Sequence, residues 1–170
     1  LAAAYPEQFL FHCDVVQPIH RMTDEQFAYI ENVKRMKPEL RVMSFHCASS
    51  CDAPVLGLGG RVWIQNGGRE YVPEAMKENA RENIFKIKKI LGSDVLLAIE
   101  NNNYYPTPAY AHVTDPDFVA GIVRENDIRF LLDIAHAQIT CANGSGVTFE
   151  EYLSRLPMER VIQMHISRHD

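Results

Sequence analysis

The sequence predicts an α/β fold: a (β/α)8 TIM barrel, present here as a partial barrel of about five βα units. Five short apolar runs, of the kind that fill strands buried on both faces, each end in a histidine or a carboxylate. Successive run ends lie about 30 residues apart, with one step of about 50, and a strand with its crossover helix needs about 30 residues. The 170 residues would form a single domain, the central part of the barrel. The runs are residues 9–11, 42–45, 95–99, 130–132 and 161–164.

The connection after the first run is predicted to contain a helix, because it begins with a capping box. Thr23 would cap the N-terminus, and Gln26 would reach back to the backbone of Thr23. The helix would end before Pro38. Its apolar residues recur at helical spacing and would pack on the sheet: Phe27, Ile30, Val33 and Met36.

The second run is followed by the longest loop, residues 47–72, which contains the only tryptophan, Trp63. A long loop at the active end of a barrel favours a lid or a substrate-binding segment. Residues 61–64 predict a short strand over the site. The glycine-rich residues 57–60 predict a flexible turn, because the lysine and the helix of a phosphate loop do not follow them.

Local signals also place the later helices. Pro73 suits a first helical position, and Gly92 suits the stop of the same helix. Thr114 is predicted to cap the next helix. Thr148 begins a second capping box, and that helix would end at Pro157.

The polar residues at the run ends are candidate metal ligands, because the C-terminal ends of barrel strands form the active-site face. Imidazole and carboxylate groups bind first-row metals well, and a buried carboxylate needs a partner. The same side chains could instead cap loops or be solvated at the rim. His20 and His112 lie in loop contexts and are interpreted as structural. The candidate ligands are His12, His46, Glu100, Asp133, His136 and His165, of which Glu100, Asp133 and His136 are also the candidate catalytic residues.

The composition of the chain argues against several classes of function. The net charge of −5 gives no general attraction for nucleic acid or an anionic membrane surface. No apolar run approaches the roughly 18 residues of a transmembrane helix, and residues 1–6 lack the basic start and the apolar core that are typical of a signal peptide. The four cysteines include no C-x-x-C pair. We therefore expect the cysteines to be reduced thiols and the protein to be cytoplasmic.

Several short motifs accompany the candidate ligands in chain order. They are Met43-Ser44-Phe45-His46, Glu100-Asn101, Leu132-Asp133-Ile134-Ala135-His136, Asn143-Gly144, Tyr152-Leu153-x-x-Leu156-Pro157 and His165-Ile166-Ser167-Arg168-His169. Together they resemble the multinuclear non-haem iron-dependent oxidative enzymes of the methanobactin-biosynthesis oxidase type. This group lies within the xylose-isomerase-like barrel superfamily, which also includes endonuclease IV. The last motif resembles a His-Leu-Ala-Gly-His segment of that family, with Arg168 in place of the glycine.

The resemblance implies that the six candidate residues bind two or three iron ions, with Glu100 as a bridge. It also implies that iron activates dioxygen to oxidise a cysteine of a ribosomal precursor peptide, often with a partner protein. Zinc or manganese are alternative metals. Further ligands of the family, an Asp-x-His pair and a glutamate, would lie beyond Asp170. The expectation is therefore that one strand precedes this piece of barrel and that two or more follow it.

Three other functions stay open at this point. A sugar isomerase or epimerase on the same barrel would use a metal to polarise the carbonyl of a small sugar. An endonuclease IV-like zinc phosphodiesterase is disfavoured by the acidic charge balance, so nucleic acid is an unlikely partner. A degenerate barrel or a binding module is the non-enzymatic alternative.

Overall fold

A computed structural model of the chain describes residues 7–52, 54–57, 62–64, 69–144 and 146–167. Most of the predicted turn at residues 57–60, Arg61 of the predicted short strand, and Arg168 and His169 of the last motif lie outside the described residues. Among the described helices, none combines the length and the apolar character needed to cross a membrane.

The centre of the molecule is a five-stranded parallel sheet that curls into a half barrel. Its strands lie side by side in chain order, as consecutive strands of a barrel do. The α/β architecture and the five parallel strands are confirmed. The strands are β1 (Leu10–Cys13), β2 (Val42–His46), β5 (Leu96–Glu100), β6 (Arg129–Asp133) and β7 (Val161–His165).

The strand register brings the C-terminal ends to the same edge of the sheet, with a stagger of two residues between β1 and β2 and between β5 and β6. His46 pairs with Glu100, and Asp133 pairs with His165. Between β5 and β6 the pairing ends at Glu100 and Leu131, so Asp133 extends past the regular ladder. Candidate ligands from neighbouring strands therefore emerge at one edge of the sheet, as the apolar runs predict.

Five helices connect and cover the strands. Their bounds are α1 (Asp24–Met36), α2 (Pro73–Leu91), α3 (Pro116–Glu125), α4 (Ile134–Ala142) and α5 (Phe149–Arg155). Single turns of 3-10 helix occur at Pro108–Tyr110 and Met158–Arg160. The apolar sides of these helices and the strands form one core that includes Ile30, Ile84, Val119 and Phe130, each 1% exposed or less.

Most of the predicted helix ends are confirmed. Both capping boxes are complete, since Thr23 pairs with Gln26 and Thr148 pairs with Glu151 through reciprocal side-chain and backbone hydrogen bonds. Pro73 occupies the first turn of α2, and Gly92 terminates that helix with a φ of 74°, in the left-handed region that glycine tolerates.

The predicted cap of α3 was wrong by one residue. Asp115 is the N-cap, and its carboxylate accepts a hydrogen bond from the Asp117 N–H. Thr114 is buried, and its hydroxyl donates to the Tyr110 carbonyl. A carboxylate in the cap position also interacts favourably with the helix dipole, which the neighbouring hydroxyl cannot do.

The long loop contains a small antiparallel hairpin, formed by β3 (Val55–Leu56) and β4 (Trp63–Ile64). This agrees with the predicted short strand in its last two residues. The Trp63 backbone N–H donates to the Tyr110 hydroxyl over 3.0 Å, and the Thr107 hydroxyl donates to the Trp63 carbonyl over 2.8 Å. The hairpin is thus fixed to the segment that follows β5.

Candidate metal centre

The six predicted site residues come together at the C-terminal edge of the sheet, around Glu100. The Oε2 atom of Glu100 lies 3.2 Å from His12 Nε2 and 3.4 Å from His46 Nδ1. Its Oε1 atom lies 3.1 Å from His165 Nδ1 and 3.7 Å from His136 Nδ1. The two carboxylate oxygens thus face different pairs of histidines.

Glu100 is 1% exposed at the end of β5. Burial raises the pKa of its carboxyl group to about 8, and the neighbouring carboxylates of Asp133 and Asp14 raise it further. Its Oε2 atom is buried without a hydrogen-bond partner in the described part of the chain. A buried, unpaired carboxylate is costly, and a bound cation would remove this cost.

His12 and His46 lie at the ends of β1 and β2, with ring centroids 4.4 Å apart. His12 Nδ1 is hydrogen-bonded to Ser44 Oγ over 2.8 Å, which leaves Nε2 towards Glu100. Within the described residues, His12 Nε2 and His46 Nδ1 are also buried without hydrogen-bond partners. Burial lowers the pKa of His46 to about 3, with a further contribution from the neighbouring histidines, so its ring is neutral and can bind a metal.

Asp133 and His136 form the second half of the site. Asp133 is the N-cap of α4, and its Oδ1 atom accepts the His136 backbone N–H over 2.8 Å. Its Oδ2 atom lies 3.9 Å from His136 Nδ1 and 3.8 Å from His165 Nδ1. The helix that begins at Ile134, directly after β6, was not predicted; it turns His136 back over the strand ends.

Asn101 holds this second half in place, a role that the sequence did not reveal. Its side-chain amide donates to the Asp133 carbonyl and accepts the Asp133 N–H, so it extends the β5–β6 pairing past the last backbone rung. The backbone carbonyl of Asn101 accepts a hydrogen bond from His136 Nδ1 over 2.8 Å. A ring nitrogen held by a carbonyl leaves the other nitrogen, Nε2, available to a metal.

Asp14 is a further neighbour of the centre that sequence reasoning missed. Its Oδ1 atom lies 3.0 Å from His12 Nε2 and 3.5 Å from His46 Nε2, although the side chain is 72% exposed. The only available signal was its position two residues after His12. His20, by contrast, has the structural role expected of it, because its Nε2 donates to the Ser49 carbonyl and its ring stacks on Tyr71.

Two overlapping groups of side chains have the spacing needed to hold a metal ion. One is His12, His46 and Glu100, and the other is Glu100, Asp133 and His136; the ligand atoms of each group lie within 4.8 Å of one another. Because Glu100 belongs to both groups, the geometry suits two ions that share one carboxylate. Metal binding by these residues stays a prediction, and the donor set fits it.

The fold and this edge of the sheet define a class of α/β protein with a carboxylate–imidazole site on parallel strand ends. Comparison with known families specifies it further: residues 71–170 match the family described as "RiPP precursor modification enzyme MbnB/TglH/ChrH", where RiPP denotes a ribosomally synthesised and post-translationally modified peptide. The chain belongs to this family, within the xylose-isomerase-like superfamily. The resemblance identified from the motifs is confirmed.

Curated relatives carry the name UPF0276 protein. The chain is 29% identical to the protein of Anaeromyxobacter sp. strain Fw109-5 over 115 residues, which cover 63% of this chain and 39% of the relative. It is 28% identical to that of Neisseria meningitidis serogroup B over 97 residues, covering 57% and 34%. For Shewanella loihica the identity is 30% over 99 residues, covering 58% and 34%. The matches thus span well under half the length of these relatives.

Proposed function

We propose that this protein is a metal-dependent enzyme in which two or three iron ions and dioxygen oxidise a cysteine of a ribosomal precursor peptide. The observation that carries the proposal is the position of Glu100. It is a buried carboxylate whose two oxygens face different histidine pairs, and it is shared by two groups with metal-ligand spacing. Family membership supports the choice of a precursor peptide as substrate.

The donor set supports iron over magnesium or calcium. Four of the six proposed ligands are imidazoles: His12, His46, His136 and His165. Imidazole-rich sites favour iron, zinc or copper, whereas hard cations prefer oxygen ligands. When bound, iron would supply the change of oxidation state that zinc cannot. Zinc or manganese with a small sugar is the alternative, and sugar isomerases of this superfamily resemble one another in more carboxylate-rich sites.

The chain's own residues would hold and orient these ligands. Ser44 holds the ring of His12 through Nδ1, so that its Nε2 lies towards Glu100. The backbone carbonyl of Asn101 holds the ring of His136 through Nδ1. Glu100 and Asp133 are both buried, so with metal bound their negative charge would act where electrostatic interactions are strong. Dioxygen would be the electron acceptor: four hydrogens withdrawn from the peptide would supply the four electrons and four protons that reduce one dioxygen to two waters, or insertion of one oxygen atom with loss of two hydrogens would leave one water.

The proposal also includes the molecules that the whole protein would bind. The precursor peptide is the substrate, and a partner protein could present it to the strand-end site.

The decisive experiment uses protein purified anaerobically and loaded with iron. Given a cysteine-containing precursor peptide and dioxygen, we expect the peptide to lose four hydrogens, or to lose two hydrogens and gain one oxygen, for each dioxygen consumed. Zinc-loaded protein and a peptide with serine in place of cysteine are the matched controls, and both should be inert. An unchanged peptide together with interconversion of a ketose and an aldose would overturn the proposal in favour of the isomerase.

A further inference from the structure

We infer that a cavity beside the metal centre binds the main chain of the precursor peptide next to its reacting cysteine. The inference rests on the proposed function, since it takes a peptide as the substrate. The cavity has a volume of about 360 Å³ and lies between the exits of β1 and β2 and the β3–β4 hairpin. This is at the lower end of the range for small-ligand sites, which suits a short stretch of extended peptide. Its lining includes Asp14, Gln17, His46, Ala48, Pro54 and Trp63.

The cavity is continuous with the candidate metal centre. His46 lines the cavity, and its Nδ1 atom lies 3.4 Å from Glu100 Oε2. Asp14 also lines it, and its carboxylate lies 3.0 Å from His12 Nε2. A residue bound in the cavity would therefore have its chain neighbour directly over the ligands, where a thiol could reach the metals.

The polar groups in the cavity match one peptide unit. Gln17 Oε1 accepts a hydrogen bond from the Ser49 N–H, whereas its Nε2 has no partner among the described residues and can donate to a peptide carbonyl. The Asp14 carboxylate, 72% exposed, can accept a peptide N–H. The amide of Asn102, by contrast, is occupied by the Ala48 carbonyl and the Asn103 N–H. One donor and one acceptor suit a peptide better than a sugar, which presents many hydroxyls.

The apolar wall of the cavity is formed by Ala48, Pro54 and Trp63. Trp63 is held on both sides of its backbone, by Tyr110 and Thr107, so the wall is formed before any ligand arrives. A pre-organised aromatic wall binds an apolar side chain without the cost of ordering a loop. The site would therefore prefer peptides with an apolar residue beside the cysteine.

Trp63 supplies the signal for a direct test, because it is the only tryptophan of the chain. The probe is a synthetic peptide with a single cysteine between two leucines, added without oxygen to the iron-loaded protein. We expect the fluorescence emission of Trp63 to change when the peptide binds. Calorimetry would give the dissociation constant. A peptide with glycines in place of the leucines should bind several-fold more weakly, and simple sugars should leave the emission unchanged.

Gln17→Glu isolates the proposed hydrogen bond. The variant keeps the oxygen that accepts the Ser49 N–H but replaces the donor with a carboxylate, which repels a peptide carbonyl. We expect peptide binding to weaken by about tenfold, because the variant loses the hydrogen bond from Gln17 Nε2 to the peptide carbonyl. The metal content and the melting temperature should stay within error of the wild type. Gln138→Ala, an exposed glutamine on α4 outside the cavity lining, is the matched control and should bind normally.

The outcomes separate this inference from the proposed function. If Gln17→Glu binds the peptide as tightly as the wild type, or if the peptide binds without changing the Trp63 emission, the cavity is not the peptide site. If the peptide binds with both expected effects but is never oxidised in the presence of dioxygen, the cavity assignment stands and the oxidative function fails. A change in emission with sugars but not with peptides would overturn the inference.

Discussion

At the residue scale, Glu100 occupies the middle of the candidate site. Its position directly after an apolar run made it a candidate ligand, and the structure places it in the middle of the other candidates. Its two oxygens each lie near a different pair of rings, which suits the proposed bridging role. His12 faces only one of these oxygens. The two residues should therefore differ in their importance for metal binding.

We predict that Glu100→Ala removes more metal than His12→Ala. A bridging carboxylate contacts two cations, while an outer imidazole contacts one, so the first variant should lose both ions and the second about one. Metal analysis of the two purified variants, loaded identically, measures this. His20→Ala is a useful control, since His20 bonds to the Ser49 carbonyl and not to Glu100. Equal metal contents in the Glu100 and His12 variants would argue against a bridge.

At the element scale, the junction between β5, β6 and α4 sets the geometry of the second half of the site. The backbone ladder stops at Glu100 and Leu131, and the Asn101 amide continues it to Asp133. Asp133 then caps α4, which carries His136. One asparagine thus connects the end of a strand to the start of a helix.

We predict that Asn101→Ala weakens metal binding about tenfold and lowers the melting temperature by several degrees. The main-chain N–H and carbonyl of Asp133 would lose their partners in a buried place, at a cost of about 1–3 kcal/mol. For a chain of this size each kcal/mol corresponds to about 2–4 °C. Outer partners of metal ligands typically contribute 10–100-fold to affinity. Competition titration with a chelator and thermal melts measure the two effects.

The control for this variant is Asn103→Ala, two residues further along. Asn103 is half-buried, and within the described part of the chain it forms a hydrogen bond through its backbone N–H and not through its side chain. It should retain normal metal affinity and a melting temperature within about 1 °C of the wild type, as surface substitutions usually do. A similar loss in both variants would show that the effect comes from the loop as a whole.

The same elements show which parts of the fold and of the site could be predicted from the sequence alone. Strand ends and capping boxes were predictable, because apolar runs and Thr-x-x-Gln or Thr-x-x-Glu spacings are local signals. Helix α4 was not, because its mostly apolar and small residues give no amphipathic period and it begins without a connecting loop. The role of Asn101 depends on Asp133, 32 residues away, and the position of Asp14 two residues after His12 is a weak signal, so neither role was predictable.

At the scale of the whole molecule, the buried site makes folding stability depend on pH. The Glu100 carboxyl has a pKa of about 8 in the fold, against a usual value of 4.5. Between these values the native state binds more protons than the unfolded chain, so stability falls as the pH rises. Burial lowers the pKa of His12 and, to about 3, of His46, which makes stability fall as the pH drops below 6.5. The two effects oppose each other below pH 6.5. Between pH 6.5 and 8.5 the dependence comes chiefly from Glu100, because the buried thiols of Cys13 and Cys47, whose pKa values burial also raises, contribute mainly at higher pH.

We therefore predict that the metal-free protein loses stability between pH 6.5 and pH 8.5. Each unit of pKa difference corresponds to about 1.4 kcal/mol, and about 1.5 units of the Glu100 shift lie above pH 6.5, so the loss should be about 2 kcal/mol. Urea unfolding at both pH values measures it. Glu100→Gln keeps the shape of the side chain without a titrating group and should abolish the loss. Bound metal should reverse the trend, because it binds the ionised carboxylate and its affinity rises with pH. A metal-free wild type whose stability stayed constant over this range, like that of the variant, would show that Glu100 already carries its charge at neutral pH.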